Sequence, residues 1–268
     1  MTVTPPPGFK IDETVPHQAR VWNYYLGGKD YYEADRVFGE QILQAYPATR
    51  DVARHTRGFL TRAIGHLTSE VGIRQFLDIG TGLPTAGNTH EIAQGIAPES
   101  RIVYVDNDPL VLVHAQALLT STPEGACAYL DADAREPERL LERAAETLDF
   151  GRPIALSILG VLGMVWDDEE ARDILRRLLE PLAPGSYLVL EDGTNTVDAE
   201  AAEEAEKIRD EEGGYHYKLR TPEQIALFFD GLELLEPGVV SVSHWRPEEN
   251  PWGLPAEVDA YCGVALKK

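Results

Sequence analysis

Short apolar runs alternate with amphipathic stretches along most of the chain. Arg74–Asp78, Arg101–Val105, Ala126–Leu130, Pro153–Leu159 and Tyr187–Glu191 are short and continuously apolar enough for parallel strands, which helices cover on both faces. Amphipathic segments separate them. Asn88 and Glu91 form an Asn-x-x-Glu capping box for one helix. Leu110–Leu119 and Pro137–Leu148 read as two more, and Asp167 and Asp168 cap another that runs to about Leu182. Thr221-Pro222-Glu223 starts a helix through Phe229, and Leu232–Leu235, Val239–Val242 and Val258–Leu266 read as late strands. This alternation predicts an α/β fold with a doubly wound, mostly parallel sheet that closes on an antiparallel edge. No internal repeat is visible.

The first part of the chain follows a different pattern. Residues 1–16 are rich in proline and predict an extended arm. Val37–Tyr46 and Asp51–Val71 predict two helices separated by Pro47, and the second carries a stripe of Val52, Phe59, Leu60, Ala63, Ile64 and Leu67. Between arm and helices, residues 17–36 gather Trp22, Tyr24, Tyr25, Tyr31 and Tyr32 around Gly27-Gly28-Lys29. Two compatible readings hold. One is a helix with a glycine C-cap and aromatics docked on the core; the other is a lid whose rings cover a ligand while Arg20 or Lys29 meets a carboxylate. His55 and His66 have no partner at metal-ligand spacing, and no metal site is expected.

The candidate chemistry lies in Phe76–Asp108. Gly80-Thr81-Gly82 follows the first strand, where glycines let the backbone turn sharply and approach a ligand. Asp106 ends the second strand, about where an acid that holds ribose hydroxyls belongs, with Asn107 and Asp108 following. A helix cap is the alternative for Asp106, and Asp108 can supply it. Pro84 and Thr85 stand where a dinucleotide loop would want its third glycine. The third strand ends in Asp131-Ala132-Asp133-Ala134, and Asp133 is a candidate for an adenine amino group or a helix cap. Small residues across Gly160–Met164 leave room for a flat cofactor.

Net charge alters the choice of partners. At −21 the chain repels nucleic acid and anionic membrane surfaces, so a small-molecule substrate is expected. Cys127 and Cys262 sit in apolar runs and read as small buried residues. With no apolar stretch of membrane length and no signal-peptide core, a cytoplasmic protein is expected.

Together these motifs resemble class I S-adenosylmethionine-dependent methyltransferases, and more closely an actinobacterial family of S-adenosyl methyltransferases of unknown substrate. Tyr25-Leu-Gly-Gly-Lys-Asp30, Asp78-Ile-Gly-Thr-Gly-Leu-Pro-Thr85 and Val103-Tyr-Val-Asp-Asn-Asp-Pro109 carry the resemblance, which extends from Arg20 to Lys267. It implies a Rossmann-like sheet of seven strands in the order 3-2-1-4-5-7-6, the seventh antiparallel. It also implies an N-terminal arm and helical cap (1–72) on a cofactor-binding core (73–268). S-adenosylmethionine would lie with its amino-acid end on the loop of Gly80, Thr81 and Gly82, its ribose on Asp106 and its adenine near Asp133 and Ala134, with Asp78 and Asn107 also among the cofactor-binding residues. Ser157 and Leu159 would line the site, and Tyr24, Tyr25, Gly28 and Lys29 would cap it.

Three stretches depart from the family pattern on the expected substrate side: Tyr31-Tyr32, Gly163-Met164 and Glu191-Asp192. The acceptor stays open between oxygen and nitrogen. His90, His216 and His244 are possible bases, each more readily structural, and no catalytic residue is assigned. The rivals are a non-catalytic S-adenosylmethionine-binding protein and an NAD-dependent oxidoreductase; the missing third glycine counts against the latter. Oligomeric state is not legible.

Overall fold

The computed structural model describes residues 12–118, 120–212 and 215–268. The proline-rich arm up to residue 11, and Leu119 at the end of a predicted helix, lie outside the described residues. Three helices come first: α1 (Gln18–Tyr25), α2 (Glu33–Ala45) and α3 (Thr49–His66). A π turn prolongs α3 through Val71, and Gly72 ends it with a φ of 84°. Strand and helix then alternate through β1 (Gln75–Ile79), α4 (Thr89–Ile96), β2 (Arg101–Asp106), α5 (Pro109–Leu118) and β3 (Ala126–Asp131). The alternation continues with α6 (Pro137–Ala144), β4 (Ala155–Leu159), α7 (Asp168–Leu179) and β5 (Tyr187–Gly193). The chain closes with α8 (Ala199–Glu212), α9 (Pro222–Ala226), β6 (Glu233–Leu234), β7 (Val240–Ser241) and β8 (Ala260–Leu266).

The sheet runs β3-β2-β1-β4-β5-β8-β6, with β8 antiparallel to β5, so the expected order is met. It has eight strands and not seven. β6 covers the end of β8 at Ala265 and Leu266, which leaves Tyr261 and Cys262 to pair with the short β7.

Side chains alternate across each strand and so divide the core in two. Leu77, Val103, Leu156 and Leu188 face one layer, where Leu140, Ile174, Leu178 and Ile225 come from α6, α7 and α9. Phe76, Ile102, Ala155 and Val189 face the other, against α3, α4 and Trp245. The predicted stripe of α3 is therefore part of the sheet's own cover, and each large apolar side chain buried there contributes about 1.5–3 kcal/mol. A separate cluster joins Val21 and Tyr25 of α1 to Phe38 and Ile42 of α2 and to Ala202 and Ala205 of α8. The acidic stretch 198–212 reads from sequence as a solvated face. Its other face closes the cap.

Candidate active site

β1 lies where the chain turns to β2 on one side and to β4 on the other, and a crevice opens at such a point outside the strands' carboxyl ends. Helix α1 spans it. His17 Nδ1 lies 2.9 Å from Asp108 Oδ2 beyond β2, and Gln18 Nε2 donates to the Gly160 carbonyl beyond β4 at 3.4 Å. A cavity of about 320 Å³ is enclosed between α1, α8 and the strand ends.

On its β1–β3 side the cavity is lined by Gly80, Thr81 and Gly82 and then by Asp106, Asn107, Asp133 and Ala134. Gly80 and Gly82 have φ of 71° and 64°, a region that favours glycine. A Cβ on Gly80 would come within 2.1 Å of a Val161 methyl, so only glycine lets this loop reach the segment after β4. A Cβ on Gly82 would meet nothing within 4 Å, leaving the loop an open cradle. Asp106 accepts from Gly82 N–H at 2.8 Å and from Asp108 N–H at 2.9 Å. Burial pushes its pKa up and these two bonds oppose the rise. Each carboxylate oxygen keeps a lone pair for a ligand hydroxyl. The cap of α5 is Asp108, which accepts from Leu110 N–H at 2.8 Å. Asp133 accepts from Arg135 N–H at 2.8 Å in a local turn and does not cap α6.

Asp78 also lines the cavity, gripped by the Thr89 hydroxyl at 2.6 Å and the Ser157 hydroxyl at 2.9 Å. Burial raises its pKa, and the two hydroxyls and Arg57 oppose this. Ser157 is fully spent on Asp78 and does not reach the cavity, whereas Leu159 does. Thr85 Oγ1 is buried beside the glycine loop without a partner among the described residues.

The cap differs from the expected lid. Its cavity face is His17, Gln18, Val21, Trp22 and Tyr25 on α1, not the Gly27-Gly28-Lys29 turn. Tyr24 points outward, its hydroxyl on Glu40 at 3.2 Å and its ring edge-on to Tyr31. Lys29 is exposed, and Gly28 is small because Asn23 packs where a Cβ would be. Arg20 is buried on Asp35 and donates to the Val15 carbonyl at 2.8 Å, so it is not free for a ligand carboxylate. The three candidate histidines also lie elsewhere: His90 on Tyr104, His216 on Asp210 and His244 on the Pro255 carbonyl.

The β4–β5 side holds residues not assigned from sequence: Glu191, Glu206, Arg209, Tyr215 and Tyr217. Glu191 and Asp192 are neighbours on β5 and so point to opposite faces. Asp192 meets Arg220 Nη1 at 2.8 Å and the Tyr217 hydroxyl at 2.7 Å. Glu191 faces the cavity, 4% exposed, and its carboxyl has no hydrogen-bond or ion-pair partner among the described residues. Burial, reinforced by Asp192, pushes its pKa up to about 8. Glu206 is raised to about 7 by burial despite its pairing with Arg209. The Tyr217 ring occupies the space a side chain at Gly163 would fill. Two of the three family departures, Gly163-Met164 and Glu191-Asp192, thus meet at one tyrosine, while Tyr31-Tyr32 lies off the cavity.

Residues 6–268 match a family model described as S-adenosyl methyltransferase. A DUF574-family protein from Streptomyces avermitilis is 44% identical over 97% of this chain and 100% of its own, with a TM-score of 0.93. A candidate methyltransferase from Thermobifida fusca is 39% identical over the full length of both, with a TM-score of 0.88. At 16% identity, a S-adenosylmethionine-dependent methyltransferase from Anabaena variabilis shares the fold, with a TM-score of 0.53 over 96% of this chain and 98% of its own. No curated protein matches the chain. The chain belongs to the S-adenosyl methyltransferase family, a Rossmann-like family that uses S-adenosylmethionine, here with relatives in actinobacteria.

Proposed function

We propose that the strand-end cavity holds S-adenosylmethionine and a small-molecule acceptor together, and that the chain methylates an oxygen or nitrogen of that acceptor. One observation carries this reading. Gly82, Asp106 and Asp133, at the carboxyl ends of three adjacent strands, open on a cavity that continues to the unpartnered carboxyl of Glu191. In this reading the glycine loop and Thr85 hold the amino-acid end, Asp106 and Asn107 the ribose, and Asp133 and Ala134 the adenine. Asp78, held by Thr89 and Ser157, lines the site beside the loop, and Tyr25 and Trp22 close it from α1. When bound, the cofactor supplies an electrophilic methyl on sulfur. The chain aligns the acceptor and excludes water, which is most of what an in-line displacement requires.

A polyanionic acceptor does not suit a chain of net charge −21. Among the described residues no helix is long and apolar enough to cross a membrane. The two cysteines are unpaired, which supports a cytoplasmic setting.

Calorimetry with S-adenosylhomocysteine tests the cofactor reading. Asp106→Asn removes a charged acceptor and is expected to weaken binding roughly 10- to 100-fold. Unchanged affinity in that variant, or comparable binding of NAD, would sink the assignment.

A further inference from the structure

We infer that the β4–β5 lobe of the cavity is an ammonium subsite, and that the acceptor is an aryl-alkyl primary or secondary amine whose nitrogen binds Glu191 and gives it a proton. This deepens the proposed function and rests on it for the methyl donor.

The lobe has more acid than base. Arg209 is committed to Glu206, and Arg220 to Asp192 and Asp168. Asp259 is taken up by the Tyr46 hydroxyl at 2.6 Å and by two backbone amides at the start of α8. Glu191 is left over. Its Oε2 would lie 3.8 Å from a Cβ on Gly160, at the end of β4 where the acceptor must approach. Two further groups of the lobe lack partners, Glu206 Oε2 and the hydroxyl of Tyr25, which is itself 4% exposed. Buried polar groups without partners are costly, so a ligand that donates to Glu206 and Tyr25, and to the Glu191 carboxyl that opens on the cavity, is favoured. Two carboxyl groups want donors and positive charge, which an ammonium brings with two or three N–H groups and a neutral phenol or alcohol, with one O–H, does not. The walls are aromatic, with Trp22, Tyr25, Tyr215 and Tyr217 around the lobe. Such rings bind an apolar body and favour a cation over their faces.

The proton count closes. The positive charge of the bound ammonium favours the ionised form of Glu191, which gives its own proton to water as the ligand enters. The N–H bond of the ammonium then breaks and its proton goes to the Glu191 carboxylate. The freed nitrogen pair then forms the bond to the methyl carbon. As the carbon–sulfur bond breaks its pair stays on sulfur, which becomes a neutral thioether, and Glu191 releases the proton to water. A carboxyl whose pKa stands near 8 is a better match to an ammonium than an ordinary glutamate. Asp192, Tyr217 and Cys262 are the titratable groups whose charge is felt at Glu191. Tyr217 and Cys262 are held neutral by burial, and Asp192 is bound to Arg220.

The test titrates phenethylamine, tyramine and tryptamine, each beside the alcohol of the same skeleton, into the protein with and without S-adenosylhomocysteine. At least one amine is expected to bind roughly tenfold or more tightly than its alcohol. Glu191→Gln should erase that preference while leaving S-adenosylhomocysteine affinity within about twofold and the fold intact by thermal melting. Tyr25→Phe should weaken the same amine by a smaller factor. If no amine outbinds its alcohol, or Glu191→Gln keeps the preference, the inference is overturned. If S-adenosylhomocysteine fails to bind, the cofactor reading falls, and amine binding to the free protein still decides the subsite.

Discussion

Glu191 carries a strain that its neighbour does not. Both carboxyls are buried at the end of β5, but Asp192 has Arg220 and Tyr217 while Glu191 has neither cation nor donor. The folded protein therefore holds Glu191 protonated up to about pH 8, whereas in the unfolded chain it ionises near its ordinary value of 4.5. The unfolded state then binds fewer protons than the folded one, so the stability this group contributes is complete below about pH 4.5 and is lost as pH rises through about 8. The full loss is roughly 5 kcal/mol, reduced by any water admitted to the cavity. Glu191→Gln keeps the shape and removes the titration. Urea midpoints at pH 5, 7 and 9 are expected to show the variant gaining on the parent at each step and levelling above pH 8. Glu206 titrates in the same window and is common to both proteins, so the difference isolates Glu191. A constant gap across pH would mean that Glu191 is solvated or paired.

The irregular stretch 215–220, between α8 and α9, locks β5 to α7: the Arg220 backbone N–H donates to the Gly193 carbonyl of β5 at 3.0 Å, and its side chain does the rest. Arg220 is 1% exposed and donates to Asp192, to Asp168 at 2.9 Å and to the carbonyls of Leu162 and Val165. Its guanidinium also lies 5.3 Å from the centre of the Phe228 ring. Arg220→Met is expected to cost about 3–5 kcal/mol, because it strands Asp192 as an uncompensated buried charge. Adding Asp192→Leu should recover part of that loss in urea unfolding, and a double variant no more stable than the single would show the pair is not coupled. This network also marks where sequence reading stops. The strands, the glycine turn and the capping box at Asn88 are legible because each depends on residues close in sequence. Asp106 is legible because its distance from the glycine turn follows from one strand-helix-strand unit. Tyr217, Arg209 and Glu206 are not, since their roles depend on how α8 and an aperiodic stretch fold back over β5. Gly163 and Asp192 did carry a signal as departures from the family pattern, but the tyrosine that joins them lies 54 and 25 residues further on. Which face of the aromatic segment meets the cavity is hidden for a related reason. An aromatic-rich helix with a glycine stop reads the same whether its turn or its flank faces the ligand, and only packing against α2 and α8 decides.

At the scale of the molecule, the cavity is roofed by elements far apart in the sequence, α1 and α8. α1 and α2 are tied by Asp35, which accepts from the backbone N–H of His17 at 2.9 Å and of Tyr32 at 2.8 Å. α8 closes the same cluster from the far end of the chain. The eight-residue α1 is too short to be stable alone and depends on this packing and on the residues beneath it. A ligand that fills the space under α1 adds contacts to an element drawn from the less stable part of the fold, whereas β8 is paired on both sides, with β5 on one and β6 and β7 on the other. S-adenosylhomocysteine at 100 times its dissociation constant stabilises the folded state by about 2.7 kcal/mol, which should raise the melting temperature by roughly 5–10 °C. Amide exchange discriminates the roof from the rest. Amides of α1 should slow in the presence of ligand under conditions where local opening dominates, while those of β8 should change only to the extent that global stability does. If melting rises but exchange in α1 is unaltered, the ligand sits outside the roofed cavity, and the roles given to Trp22 and Tyr25 fail with it.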